Sequence, residues 1–417
     1  MSHAELAMKV LVVGSGGAEH VLARALRASP GVRDVFVAPG NVGMTDMAAT
    51  VNLEASEAEV IAEWATEAKI DLVVLGGEAA GLAGVADACL AADLKTVGPS
   101  GAAAALLADP AWVETQAAQR GITLASGAEV EGADQVLVIV ALADGASVRG
   151  LGTAIVFRRL EEQGRGPLTD GMGACSPAAG LPDTVTAWLE AALLSPLVGA
   201  LSAHGLAYRG FLCAEVVVGR EGGAPRLIRV TPGLHAMGST VVLPRLKTDV
   251  LLTLLDAAEG EVGKGDLGWS TDAACAVTLV SDGYPNLLAY ETGYGIQGVE
   301  SVARATFVAH EATRNPYAPR DVLITPRHKS KAEQPKSGGL GGLLSFGRGR
   351  KTSVDAQAAR AAGDPYSRLV TGGGRVVTVV ALGPSAEEAR QRAYSVAEGI
   401  TYTGRAYRQD IGATTIG

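Results

Sequence analysis

The sequence is poor in aromatic residues: five Phe, four Trp and nine Tyr make up 4% of 417 positions. Its core must therefore come from small aliphatic side chains. With 48% hydrophobic residues and 54 Gly, the composition is that of an alanine-rich, soluble α/β protein, long enough for two or three domains. Cysteine is scarce as well. Cys89, Cys175, Cys213 and Cys275 have no metal-type spacing, so they read as buried thiols in a reducing compartment. Positive charge is in deficit, 35 Lys and Arg against 44 Asp and Glu, and a net charge of −9 argues against a general nucleic-acid binder. The start, Met1 to Glu5, has no charged leader region, and no run reads as long and apolar enough for a transmembrane segment; the expected location is cytoplasmic. Lysine is missing altogether between Lys95 and Lys247.

What is present starts with Lys9–Val13, which reads as a buried strand. The glycine turn Gly14-Ser15-Gly16-Gly17 follows, and then an apolar-periodic stretch (Val21, Leu22, Ala25, Leu26) that reads as a helix. The turn reads two ways. Its N–H groups and the helix N-terminus suit a phosphate or carboxylate, and the same glycines suit ordinary strand-to-helix packing. Further strands are expected at Asp34–Ala38, Asp71–Leu75 and Leu94–Val97, with helices at Ala58–Ala68 and near Gly81–Ala92. Alternation of this kind predicts a parallel sheet, with ligands beyond the carboxyl ends of its strands. Three glycine-bearing turns (14–17, 39–43, 76–78) fall at such ends, where Asn41 and Glu78 would add polar side chains.

Here the motifs become specific. Val-Val-Gly-Ser-Gly-Gly-Ala-Glu-His at 12–20, Ala-Pro-Gly-Asn-Val-Gly at 38–43 and Gly-Gly-Glu-Ala at 76–79 resemble successive motifs of the glycinamide ribonucleotide synthetase (phosphoribosylamine–glycine ligase) family. The resemblance implies an α/β fold in three parts: a parallel-sheet pre-ATP-grasp domain (1–122), an ATP-grasp core (123–309) and a small carboxy-terminal α+β domain (310–417). It implies ATP and Mg2+ as the family's cofactors and purine synthesis as its setting. It also implies that Gly14, Ser15, Gly16, Gly17, Glu19, Asn41 and Glu78 border a phosphoribosylamine site. Ala18 departs from the family's Arg.

The middle of the chain departs further. Thr123–Asp134 leads straight into a strand at Gln135–Leu142 that resembles the family's return strand after its lid, so the core is expected to be truncated and without that lid. Pro110 stands where the family has a nucleotide-contacting Lys. Arg229 and Thr231 stand at the family's metal-ligand Glu and Asn, Gly233 at its substrate-handling Arg and Ala236 at its Asp. Mg2+ needs hard oxygen ligands, and Arg229 puts a positive charge in their place. The nearest acid, Glu215, reads as an outward strand residue or as a remnant of a site. His235 reads as a ligand or base, or as a structural loop residue. The stretch Gly166–Pro177 resembles a family loop, which implies substrate-binding roles for Thr169, Gly171, Met172 and Gly173; the alternative is a folding role for its glycines. Arg158 stands at a family Lys and joins that residual substrate set.

Residues 326–363 break the pattern. Seven Lys or Arg against Glu333 give +6 over 327–351, within a Gly- and Ser-rich run. This segment reads as a disordered, solvated insertion, or as a tether that takes a protein partner through 327–351. Order is expected to return with a strand over 373–383, a helix from Ser385 with a capping-box spacing to Glu388, and a Tyr-Arg-x-Asp-Ile-Gly ending at 407–412 that resembles the family's.

The expectation is a catalytically inactive paralogue of that family with a binding, regulatory or scaffolding role. It would have no catalytic residues, no metal and no cofactor of its own, and would take a phosphoribosyl or purine-precursor ligand. The alternatives are an active ATP-dependent ligase or a purely structural interaction protein.

Overall fold

A computed structural model describes residues 7–178, 183–218, 225–262, 266–300, 305–316 and 369–413. The basic segment 326–363 lies outside them.

The first sheet holds β1 (Met8–Gly14), β2 (Val32–Pro39), β3 (Ala49–Thr50), β4 (Leu72–Leu75) and β5 (Thr96–Val97), in the order β3-β2-β1-β4-β5. All its pairings are parallel. Alternate residues of β1 point to opposite faces, and both faces are covered. Val10 and Val12 join one core with Val21, Leu22 and Leu26 of α1 (Gly17–Ala28). Leu11 and Val13 join another with Ile61 and Ala65 of α2 (Ala58–Glu67). The helix expected near Gly81–Ala92 is two, α3 (Glu78–Leu82) and α4 (Val85–Ala91). Gly84 between them sits at φ +75°, a left-handed conformation that ends a helix.

Next come α5 (Gly101–Ala108) and α6 (Pro110–Gln119). Asp109 caps α6 through its carboxylate, which accepts from Ala111 N at 3.0 Å, and Pro110 takes the first helical position, where no N–H is needed. The connection from Arg120 to Asp134 holds only the six-residue α7 (Gly127–Gly132), started by a Ser126–Glu129 capping box. No separate domain is built there. Residues 123–125 add to the edge strand near Leu227 instead.

The second sheet is antiparallel and nine-stranded. Its strands are β6 (Gln135–Asp144), β7 (Val148–Glu161), β8 (Arg165–Ser176), β9 (Arg209–Val217), β10 (Arg226–Thr231), β11 (Ala273–Ser281) and β12 (Thr306–His310), and, beyond the small pair β13 (Thr313–Arg314) and β14 (Val370–Thr371), β15 (Arg375–Gly383) and β16 (Arg405–Ala406). The order β10-β9-β6-β7-β8-β11-β15-β12, with β16 beside β11, joins the middle of the chain to its end without a break. β12 spans the expected boundary at 309/310 and pairs with β15 on the far side of it. The expected loop at 166–177 is strand β8, hydrogen-bonded between β7 and β11. The Gly-rich composition hid its regular pairing.

Helices α8 (Asp183–Trp188) and α9 (Ser195–Ala203) flank a π-helical turn, Leu189–Leu194. Contrary to expectation, Val185–Ala203 is long and apolar enough to cross a membrane by length and composition. Its apolarity serves packing: Leu189, Leu193, Leu197, Val198 and Leu201 are fully buried in the core of the second sheet. Among the described residues three later helices follow, α10 (Gly238–Val242), α11 (Val250–Glu259) and α12 (Ala386–Gly399). Ser385 caps α12 by accepting from Glu388 N at 3.2 Å.

The ending motif is a structural clamp. Arg408 is 1% exposed and holds Asp134 at the start of β6 (2.7 Å) and Asp410 (2.8 Å). It thereby fastens the carboxy-terminal segment to the second sheet.

Candidate functional site

The carboxyl ends of β1, β2 and β4 meet β12, β15 and the loop after β10, and two constellations form there.

The first is the glycine turn. Glu19, in the first turn of α1, folds back so that its carboxylate accepts from Gly16 N at 3.0 Å, and a backbone hydrogen bond from Gly77 adds to it. A Cβ on Gly14 would lie 2.5 Å from Glu19 Cγ, and one on Gly76 would lie 2.3 Å from it. These glycines are therefore required by the packing of Glu19, whatever else the turn does. Glu19 is buried, and burial followed by the nearby charge of Glu311 raises its pKa, against the hydrogen bonds that lower it. Asn41 fastens the turn from the side. Its Nδ2 donates to Ser15 O (2.7 Å) and His310 O (2.9 Å), and its Oδ1 accepts from Gly43 N (3.0 Å). Glu78 opens α3 with a half-buried side chain. Ala18 is buried in the core.

Beside the turn is a cavity of about 210 Å3 onto which His20 and His310 open. Their rings stack at 5.8 Å, and His310 N donates to His20 Nδ1 at 3.1 Å. Burial drives both pKa values down, to about 3 for His20, where His310 and Arg24 add to the effect, and to about 4 for His310. Both rings are neutral at pH 7.

Two residues at this place had no sequence signal of their own. Glu311 follows β12, and Arg375 opens β15. They form an ion pair at 2.8 Å, with side chains 10% and 11% exposed. The segment between them is long, so nothing in local spacing announces the pairing.

The second constellation lies at β9 and β10. Arg229 and Glu215 are register partners across these strands and form an ion pair. His235 joins from the following loop, with Nε2 3.2 Å from Glu215 Oε1. Its Nδ1 accepts from Gly238 N (2.9 Å) and Met237 N (3.3 Å), so Nε2 carries the proton and donates to Glu215. Glu215 is 4% exposed at the side chain. Burial alone would raise its pKa, but the hydrogen bonds from His235 and Arg229 and the Arg229 charge outweigh it and hold the group at about 2. Of the two readings of Glu215, the geometry shows an inward, paired carboxylate. His235 is buried and engaged on both ring nitrogens.

As a Mg2+ site this arrangement does not fit. It offers a guanidinium, the Thr231 hydroxyl and one carboxylate already shared by two partners, where a divalent cation needs several free hard oxygens. Among the described residues no group of three or more His, Cys, Asp or Glu is placed to hold a metal.

The residues expected on the family loop sit on β8. Thr169 Oγ1 donates to Arg158 O at 2.7 Å and accepts from Gly171 N at 3.0 Å. Gly171 is at φ +116°, and a Cβ there would lie 2.4 Å from Met237 Cγ. Met172 is fully buried, and Gly173 lies under Ala276 O. Met237, also fully buried, fills the space between Gly171, Thr278 and Arg375. Arg158, on β7, donates to Val130 O at 3.2 Å; burial lowers its pKa, and the fields of Glu215 and Arg229 act on it in opposite senses. Cys175 and Cys275 lie opposite each other on β8 and β11 as free thiols, with sulfurs 3.7 Å apart.

A parallel-sheet domain feeding an antiparallel sheet at its strand ends is the architecture of ATP-grasp proteins, and comparison narrows the class. Family profiles for phosphoribosylglycinamide synthetase match at residues 8–106 (N domain), 58–231 (ATP-grasp A domain) and 345–414 (C domain). The chain belongs to the phosphoribosylglycinamide synthetase family. It is 28% identical to a phosphoribosylamine–glycine ligase of Caldanaerobacter subterraneus, over 97% of this chain and all of that one. It is also 28% identical to a chloroplastic phosphoribosylamine–glycine ligase of Arabidopsis thaliana, over 94% of this chain and 78% of that one. The solved Thermotoga maritima phosphoribosylamine–glycine ligase superposes with a TM-score of 0.68 at 20% identity, covering 97% of this chain and all of that one. The alignment with the Caldanaerobacter enzyme spans 469 positions against 417 residues here, so at least 52 positions (469 − 417) face gaps in this chain.

Proposed function

We propose that this chain is a member of the phosphoribosylglycinamide synthetase family that no longer carries out ATP-dependent ligation and acts as a cytoplasmic binding or scaffolding component related to purine synthesis. The observation that carries this reading is the Arg229–Glu215–His235 constellation. At the position where the family resemblance places a metal-ligand carboxylate stands a cation, and its charge is neutralised within the chain.

Three further features support it. The Arg120–Asp134 connection holds only a six-residue helix, and the alignment with the Caldanaerobacter enzyme carries gaps in this chain; both support the reading that the family's lid is missing. The span between Lys95 and Lys247 supplies no lysine to meet phosphates. Pro110 spends the position of a family lysine on starting a helix. Phosphoryl transfer relies on metal and cationic clamps to stabilise spreading charge, and losing even one such stabiliser costs about 100- to 1,000-fold in rate. Here several are replaced together.

A second reading, an active ligase, draws on the near-complete coverage of relatives named as ligases. A turnover assay with phosphoribosylamine, glycine and ATP–Mg2+ separates the two. The first reading expects no ADP release above background at high protein concentration. Sustained ADP release coupled to glycinamide ribonucleotide formation would establish the second.

A further inference from the structure

The N-terminus of α1 already holds an anion, and the chain itself supplies it. Gly17 N donates to Glu311 Oε2 at 3.1 Å. The other oxygen, Oε1, accepts from Arg375 Nη2 at 2.8 Å and from Thr378 Oγ1 at 3.0 Å. The neighbouring N–H, on Gly16, is taken by Glu19. A Cβ on Gly17 would lie 2.5 Å from Glu311 Oε1, so the carboxylate sits where only a glycine lets it approach. Its backbone is pinned as well: Glu311 N donates to Val376 O at 3.0 Å, and Asn41 holds the preceding carbonyl.

A twelve-residue helix presents partial positive charge at this end, and a buried guanidinium adds a full one. Together these are the parts of a site for one compact anion. An incoming phosphate cannot use Gly17 N–H and Arg375 while Glu311 stays, because two anions would share one set of donors in a poorly solvated space.

We infer that Glu311 is a built-in anion that closes the glycine turn to phosphate-bearing ligands, and that its removal exposes a phosphate site made of Gly17 N–H, Thr378 and Arg375. This inference rests on the turn alone and does not depend on whether ATP-dependent ligation is lost.

The test uses the full chain and inorganic phosphate as the probe, followed by isothermal titration and thermal shift at constant ionic strength. Glu311→Ala is expected to bind phosphate at least tenfold more tightly than wild type, and phosphate is expected to raise the melting midpoint of the variant but not of wild type. Glu311→Gln keeps the size and an acceptor for Gly17 while removing the charge; it decides the matter if Glu311→Ala does not fold, with a smaller gain expected in the same direction. In Glu311→Ala combined with Arg375→Ala the gain should vanish. Equal phosphate binding by wild type and the Glu311 variants would overturn the inference, as would a gain that survives loss of Arg375.

Discussion

The glycine turn after β1 and the β9–β10 pair sit at the same end of the molecule, and both are satisfied from within by carboxylates, but those carboxylates answer backbone donors at the turn and a guanidinium at β10. At the turn the backbone donors keep their family-like sequence and are filled by acidic side chains, Glu19 and Glu311. At β10 the side chain itself is different, a cation, and Glu215, itself held by His235, answers it. A motif can thus persist because its glycines fit a neighbour, as Gly14 and Gly76 fit Glu19, while a replaced residue can be absorbed by one new partner across a strand. A glycine held in place by packing is a different matter from retained chemistry.

The comparison can be broken by titration first. His20 and His310 have folded pKa values lowered to about 3 and about 4 from 6.5. The unfolded chain therefore takes up protons before the folded one. The stability these groups contribute is complete above pH 6.5 and is lost as pH falls below it, by about 2 kcal/mol for each His at pH 5. Glu19, with its raised pKa, works in the other sense and is more favourable at low pH. Glu215, held at about 2 from 4.5, stays silent until pH falls below about 4.5 and then loses its contribution toward pH 2. Urea unfolding at pH 7 and pH 5 should show a marked loss that His310→Gln reduces. A flat profile between those values would contradict the buried-histidine account of the turn.

Next in size is Gly76→Ala. With a Cβ forced to 2.3 Å from Glu19 Cγ, the turn should lose about 3 kcal/mol, read from denaturant midpoints. A neutral result would mean that Glu19 can leave its place freely. At the other constellation the two partners should be unequal. Glu215→Ala removes a buried carboxylate that serves both Arg229 and His235 and should cost about 2 kcal/mol, a figure discounted because Arg229 is 52% exposed and can rehydrate. Arg229→Ala should cost less than about 1 kcal/mol, since His235 still answers Glu215. Equal costs for the pair would sharpen the account toward a single closed ion pair.

Much of the first domain was legible in the sequence because its signals are local. Buried strands, helices of the right length and glycines at strand ends gave the parallel sheet, and Asn41 and Glu78 were placed at those ends. The helix break at Gly84 is not legible in the sequence, because a single glycine inside an apolar-periodic run reads as tolerated and its left-handed backbone shows only in three dimensions. Gly166, Gly171 and Gly173 look like turn formers and point to a loop; the neighbouring strands β7 and β11 supply the pairing that makes β8 a strand. The apolarity of Val185–Ala203 is of membrane-spanning length, and its leucines serve the core. Glu311 and Arg375 could not be joined from sequence, since their contact depends on β12 and β15 lying side by side. The Arg229–Glu215 pairing had the same obstacle: a cross-strand partner is fixed by register, which the sequence of either strand alone does not state.

The central claim, that the nucleotide machinery of this chain has been replaced inside a retained frame, is tested most directly by isothermal titration of the purified protein with ATP–Mg2+. The account predicts no saturable heat up to millimolar nucleotide. Micromolar binding that depends on Mg2+ would contradict it.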